Sequence, residues 1–150
     1  MEWSIPQLQI MGEIALAMLL GGVIGFERET ANRPAGFRTH MLVAGAAALL
    51  VGMGDIFLDA FENTGFDLIT SDPLRIVEAI IAGVSFLGAG TIFQAGRENR
   101  VQGLTTAASI LLVSGIGISV ALHQFILAIG VTVLTLAVLI VPRLFSRFFR

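Results

Sequence analysis

Five apolar blocks alternate with short polar stretches along the 150 residues. The first runs from Leu8 to Phe26 and is interrupted by Glu13. The second runs from Met41 to Leu58, with Asp55 near its end. The third covers Ile76 to Phe93, with Glu78 near its start. The fourth, Leu104 to Leu122, and the fifth, Phe125 to Val141, carry no charge, and the fifth stops at Pro142-Arg143. Each block is about 17–19 residues long, enough for one helix to cross a hydrocarbon core. The pattern predicts an all-α membrane protein of five transmembrane helices, forming one transmembrane domain over residues 1–150. Only His123-Gln124 separates the last two blocks, which permits a tight turn between antiparallel helices.

Polar punctuation refines the boundaries. Asp72-Pro73 reads as a helix N-cap with proline in the first helical position, so the third helix is expected to begin near Pro73. The preceding stretch, Asp59 to Arg75, is the longest connection. Phe61 and Phe66 interrupt its acidic run and predict a surface-lying segment or a short helix. The N-terminus lacks a positive n-region and a small-residue cleavage site, so the first span is expected to stay in the mature protein.

Charge then gives the expected orientation. Only 13% of the residues are charged against 55% hydrophobic, about half the charge of a typical soluble domain. All nine basic residues are arginines. Eight of them fall in the first loop (Arg28, Arg33, Arg38), the third loop (Arg97, Arg100) and the tail (Arg143, Arg147, Arg150). Arg75 alone lies on the alternate side, among Asp59, Glu62, Asp67 and Asp72. By the positive-inside rule the N-terminus is outside and the C-terminus cytoplasmic. A bacterial cytoplasmic (inner) membrane is the simplest location. There are no cysteines, hence no disulfide, thiolate metal site or cysteine nucleophile. No nucleotide loop, nucleophile elbow or zincin helix occurs, and nothing marks an enzyme or a nucleic-acid binder.

A motif is written twice. Gly21 to Glu29 closes at Gly36-Phe37-Arg38-Thr39-His40, and Phe86 to Phe93 closes at Gly103-Leu104-Thr105-Thr106. Glu13 precedes Gly25 by twelve residues, and Glu78 precedes Gly90 by twelve. This is either a parallel duplication of a helical hairpin or coincidence in a chain rich in glycine and alanine. Gly21 and Gly25, and Ala79 and Gly83, stand four apart, the spacing that lets membrane helices approach closely. Gly88-Ala89-Gly90 either packs in the same way or breaks the third helix to expose backbone to a cavity.

Two groups of ionisable residues are candidates for chemistry. Glu13, Asp55 and Glu78 lie in the outer half of three spans. Either they converge on a hydrated divalent cation such as Mg2+, with Glu13 and Glu78 the leading ligands, or each reaches the interface separately. The inner group comprises Glu27, Arg28, Glu29, Arg38, Thr39 and His40, joined by Arg100, Thr105 and Thr106 from the second copy of the motif. Either it is an ordinary solvated positive-inside loop, or it is a pre-organised anionic or protein-binding site in which Glu27 pairs with Arg38. By the topology His40 and His123 face opposite sides and do not share a metal; each reads as interfacial.

Three pieces of sequence resemble the MgtC/SapB family: Gly25-Phe26-Glu27-Arg28-Glu29 with Ala35 to Val43, Asp72 to Ile76 with Gly83 to Gly90, and Val101 to Ala108. The likeness spans roughly residues 10–120. It implies a multi-span bacterial inner-membrane protein tied to adaptation to low magnesium, regulating other membrane proteins through helix contacts, the F-type ATP synthase among them. The alternative it implies is an oligomeric Mg2+ transporter or channel; five short helices are few for a pore, so that reading needs a homo-oligomer, a dimer by preference. It implies no cofactor other than Mg2+ as ligand or substrate. Many members carry a soluble C-terminal domain; ending at Arg150, this chain is expected to be a short or truncated form.

Overall fold

In a computed structural model, which describes residues 4–62, 72, 74–95 and 103–148, the chain forms five helices. They are α1 (Ser4–Thr30), α2 (Phe37–Glu62), α3 (Leu74–Ala95), α4 (Leu104–Ala121) and α5 (Phe125–Phe148). No strand occurs among the described residues. Each helix contains a stretch of 18 to 24 residues apolar and long enough to cross a membrane. The helices outrun the apolar blocks because polar residues at the ends, such as Glu27 to Thr30, continue the backbone hydrogen bonding.

The end signals behave as their chemistry dictates. The Asp72 carboxylate accepts the Leu74 N–H at 3.0 Å, the expected N-cap of α3. Gly103, before α4, has φ +89°, and a Cβ there would lie 2.7 Å from the Thr91 carbonyl oxygen; this close approach and left-handed backbone require glycine. Two expectations change. Phe61 belongs to α2 and not to a separate surface segment, while Phe66 lies outside the described residues. Helix α5 does not stop at Pro142 but runs through it to Phe148. A proline forfeits its own N–H bond, yet Pro142 is exposed, where the loss and the ring are tolerated.

Helices α1, α2 and α4 make the packed centre; α3 lies chiefly on α4, and α5 on α4 and α1. Half of the residues in the apolar stretches of α2 and of α4 are buried, against 11% in α3 and 22% in α5, so the last two are peripheral. The centre is built from small and branched residues, Ala17, Ile24, Ala44, Ala47, Ala48, Ile110, Val113, Ile116 and Val120. Lipid offers no hydrophobic drive between helices, so close backbone approach has to supply the contact. At Gly21 a Cβ would stand 2.7 Å from the His40 carbonyl oxygen and 2.8 Å from the Ala44 Cβ. At Gly117 it would run into the Ala44 carbonyl. The three helices therefore meet backbone to backbone around Ala44.

Candidate functional site

The α1–α2 elbow brings the inner candidate residues together at one end of this centre. Glu29, on the last turn of α1, accepts the Phe37 N–H at 2.8 Å and so caps α2. Gly36 fits against that carboxylate; a Cβ there would lie 2.7 Å from Glu29 Oε2. Gly25 lets the start of α2 close down, since its Cβ would meet Phe37 Cα at 2.8 Å and Gly36 O at 2.9 Å. His40 is thereby carried into the interior, with no exposed surface.

Three ionisable side chains are buried here: Glu27 (8% exposed), Arg28 (3%) and His40 (0%). Arg28 Nη1 stands 3.7 Å from Glu27 Oε2, and Arg28 Nη2 donates to Thr106 Oγ1 at 3.4 Å. His40 Nδ1 lies 2.9 Å from the Gly36 carbonyl oxygen, which only accepts, so Nδ1 carries a proton. His40 Nε2 lies 3.0 Å from Ser109 Oγ, and Ser109 Oγ lies 2.8 Å from the Thr106 carbonyl oxygen. The serine has one proton to share between these two acceptors. It donates to Nε2 when the imidazole is neutral, and to Thr106 when Nε2 is itself protonated. The network thus ties α1, α2 and α4 into one unit, and neutralises charge that lipid would penalise.

The structure sorts the residues proposed from sequence. Glu27, Arg28, His40 and Thr106 share the buried network, while Glu29, Arg38, Thr39 and Thr105 are exposed around it. Glu27 does not pair with Arg38; it turns to Arg28, on its own helix. His40 is not interfacial but fully enclosed. Arg100, like Arg97, falls outside the described residues. Ser109 is a member that sequence reasoning missed. The available signal was Thr106-x-x-Ser109, which puts two hydroxyls on one face of an otherwise apolar helix.

At the other end of the bundle the three-carboxylate arrangement does not form. Asp55 and Glu78 are exposed, and among the described residues no group of three His, Cys, Asp or Glu stands close enough to hold a metal ion. Glu13 alone is buried, at 8% exposed. Its neighbours are His123 Nδ1, 3.3 Å from Oε1, and the Gln9 amide nitrogen, also 3.3 Å from Oε1. His123 was set apart in the sequence by more than a hundred positions, so no local pattern could pair it with Glu13. The glycines divide as well. Gly21, Gly25 and Gly88 sit in close contacts, a Cβ at Gly88 meeting the Ala107 Cβ at 3.3 Å, whereas Gly83 and Gly90 have open space. Helix α3 is unbroken through Gly88-Ala89-Gly90, so no backbone is freed there.

Fold and composition define a multi-pass membrane protein with three ionisable side chains sealed at a helical elbow. The MgtC family profile matches residues 14–148, and the chain belongs to that family. It is similar to the protein MgtC of Salmonella typhimurium, 40% identical over 127 residues that cover 85% of this chain and 49% of the relative. SrpB of Synechococcus elongatus is 42% identical over 75% of this chain and 65% of its own length. YhiD of Escherichia coli, named as a candidate magnesium transporter, is 35% identical over 84% of this chain and 57% of its own. The chain spans about half the length of the first of these curated relatives. No solved structure matches it.

Proposed function

We propose that this protein serves adaptation to low magnesium at the bacterial inner membrane, by regulating other membrane proteins through helix contacts. The carrying observation is the packed plug between its two polar ends. From Glu13 to Glu27 along α1, the interior is filled by Ala17, Ile24, Ala44, Ala47, Val113, Ile116 and Val120, each 0–2% exposed. Among the described residues of a single chain, no ionisable side chain is buried between these two ends, which favours regulation over conduction. The faces left for partners are the apolar sides of α3 and α5, including Phe86, Ile126, Leu134 and Val138. The sealed network ties together the three central helices on which α3 and α5 rest. Magnesium enters through the family and through the name that YhiD carries.

The second reading, an oligomeric Mg2+ transporter, draws on the open cleft at Glu13, which gives a carboxylate at one end of the bundle access to solvent. Cells that depend on this chain for growth at low Mg2+ separate the two. Under the regulatory reading Arg28→Gln and His40→Gln abolish rescue while the protein still inserts, and proteoliposomes holding the wild type take up no Mg2+. Uptake that Glu13→Gln removes would establish transport instead.

A further inference from the structure

The cleft at the end of the bundle away from Arg28 has a composition that the elbow does not explain. It is an open hollow of about 510 Å3 lined by Gln9, Gly12, Glu13, Leu16, His123 and Phe125. A buried carboxylate faces it, and an imidazole with 54% of its side chain exposed stands at its rim. His123 also occupies a costly backbone position. Its φ is +58°, in the left-handed region, two residues past the end of α4 and within the three-residue turn to α5. Glycine or asparagine is usual there. A histidine held in that conformation at a helix end points to a use for its ring.

We propose that Glu13 and His123 form a binding site for a divalent cation of the first transition row, Mn2+ or Zn2+ in class, and not for Mg2+. Glu13 Oε1 and His123 Nδ1 are 3.3 Å apart. Two donors on one tetrahedral metal with bonds of about 2.0–2.2 Å stand roughly 3.3–3.6 Å apart, a range that includes the observed separation. The other ring nitrogen, Nε2, lies 3.2 Å from the Gln9 amide. Without metal, the Gln9 N–H groups donate to Nε2 and to Glu13 Oε1, so in the neutral ring the proton sits on Nδ1, beside the carboxylate. With metal on Nδ1 the proton moves to Nε2, and the Gln9 amide turns its oxygen to accept it. That is the partner a metal-bound imidazole ordinarily requires on its far nitrogen. Water from the open cleft completes the coordination, so binding is exchangeable. Selectivity follows from the imidazole, which suits transition metals, whereas Mg2+ favours an all-oxygen shell.

The test is Mn2+ titration of the full chain in lipid nanodiscs, with free Mn2+ read by electron paramagnetic resonance. His123→Asn keeps a residue that tolerates the left-handed turn, and Glu13→Gln keeps the volume. The expected result is saturable binding of one Mn2+ per chain, weakened more than about tenfold by each substitution, and retained in about a hundredfold excess of Mg2+. Gln9→Glu, which adds a carboxylate to the same cleft, tightens Mn2+. Absence of saturable binding, affinity unchanged in His123→Asn, or displacement by Mg2+ as readily as by Zn2+ would each overturn the proposal. A loss of binding in Gln9→Glu would overturn it too, and does not depend on the other two variants folding.

Discussion

The two copies of the glycine motif make an internal control. Aligning Gly25 with Gly90 places Glu13 beside Glu78, and Gly21 beside Phe86. Glu13 is buried and Glu78 exposed; Gly21 lies against the backbone of α2, while Phe86 is 81% exposed. Gly25 has no room for a Cβ, and Gly90 has nothing within 4 Å. The hairpins agree only where each closes, at Gly36 against Glu29 and at Gly103 against Thr91. The difference is in what lies next to them. Both faces of the α1–α2 hairpin contribute to a three-helix centre with α4, whereas α3 has α4 on one side and only a light contact with α2 on the other. A repeated sequence therefore fixes the turn, and the neighbouring helix decides whether the glycines above it are used.

The sharpest way to break the comparison is at the ionic residue. Arg28→Leu leaves the buried Glu27 carboxylate without its neighbouring guanidinium and Thr106 Oγ1 without its donor. Loss of one partner from a buried ion pair costs about 3–5 kcal/mol; the position aligned with it, Phe93, is apolar and has no such charge to strand. Thermal or denaturant unfolding in detergent should show the first substitution far below wild type. Next comes size. Gly21→Val and Gly25→Val force α1 off α2 and cost about 1–3 kcal/mol by overpacking, while Gly90→Val in the second hairpin, with open space, shifts the midpoint little.

Smaller effects sharpen the picture at the helix starts. Glu29→Ala uncaps α2 and Asp72→Ala uncaps α3, each at about 1 kcal/mol. Because Glu29 also seats Gly36, its loss is expected to impair rescue at low Mg2+ as well, and that of Asp72 to spare it. Smallest of all is the carboxylate pair. Glu78→Gln, at an exposed position, should leave unfolding unchanged within about 0.5 kcal/mol, whereas Glu13→Gln weakens the contact to His123 by removing its charge. Equal midpoints for these two variants would contradict the burial difference.

Much of this was legible in sequence because the forces involved are local. Blocks of apolar residues mark helices, Asp72 marks a start, and Gly-x-x-x-Gly marks a face that packs. The closing turn at Gly103 was marked by the same signals. What stayed hidden depends on residues far apart in the chain. His40 reads as interfacial beside Arg38 and Thr39, and only the close approach of α2 at Gly25 and the arrival of α4 place it against Ser109. Glu13 reads as one of three similar carboxylates, and only the turn at His123 gives it a partner. Pro142 reads as a stop, and α5 continues because that position faces away from the packed centre.

The sealing of the elbow by α4 has a consequence for how the chain is assembled. Helices leave the insertion machinery in order, and α1 and α2 already hold each other through Gly21 and Gly25 when α3 emerges. At that moment Arg28 has no Thr106 and His40 has no Ser109, because both hydroxyls belong to the next helix. The ionic residues then remain at the aqueous boundary, and α3 waits in lipid without its main docking surface. Arrival of α4 withdraws the charges from water and gives α3 its place in one step. Nascent chains cut before Leu104 should therefore leave His40 open to water-borne imidazole reagents, and chains extended past Ala121 should shield it.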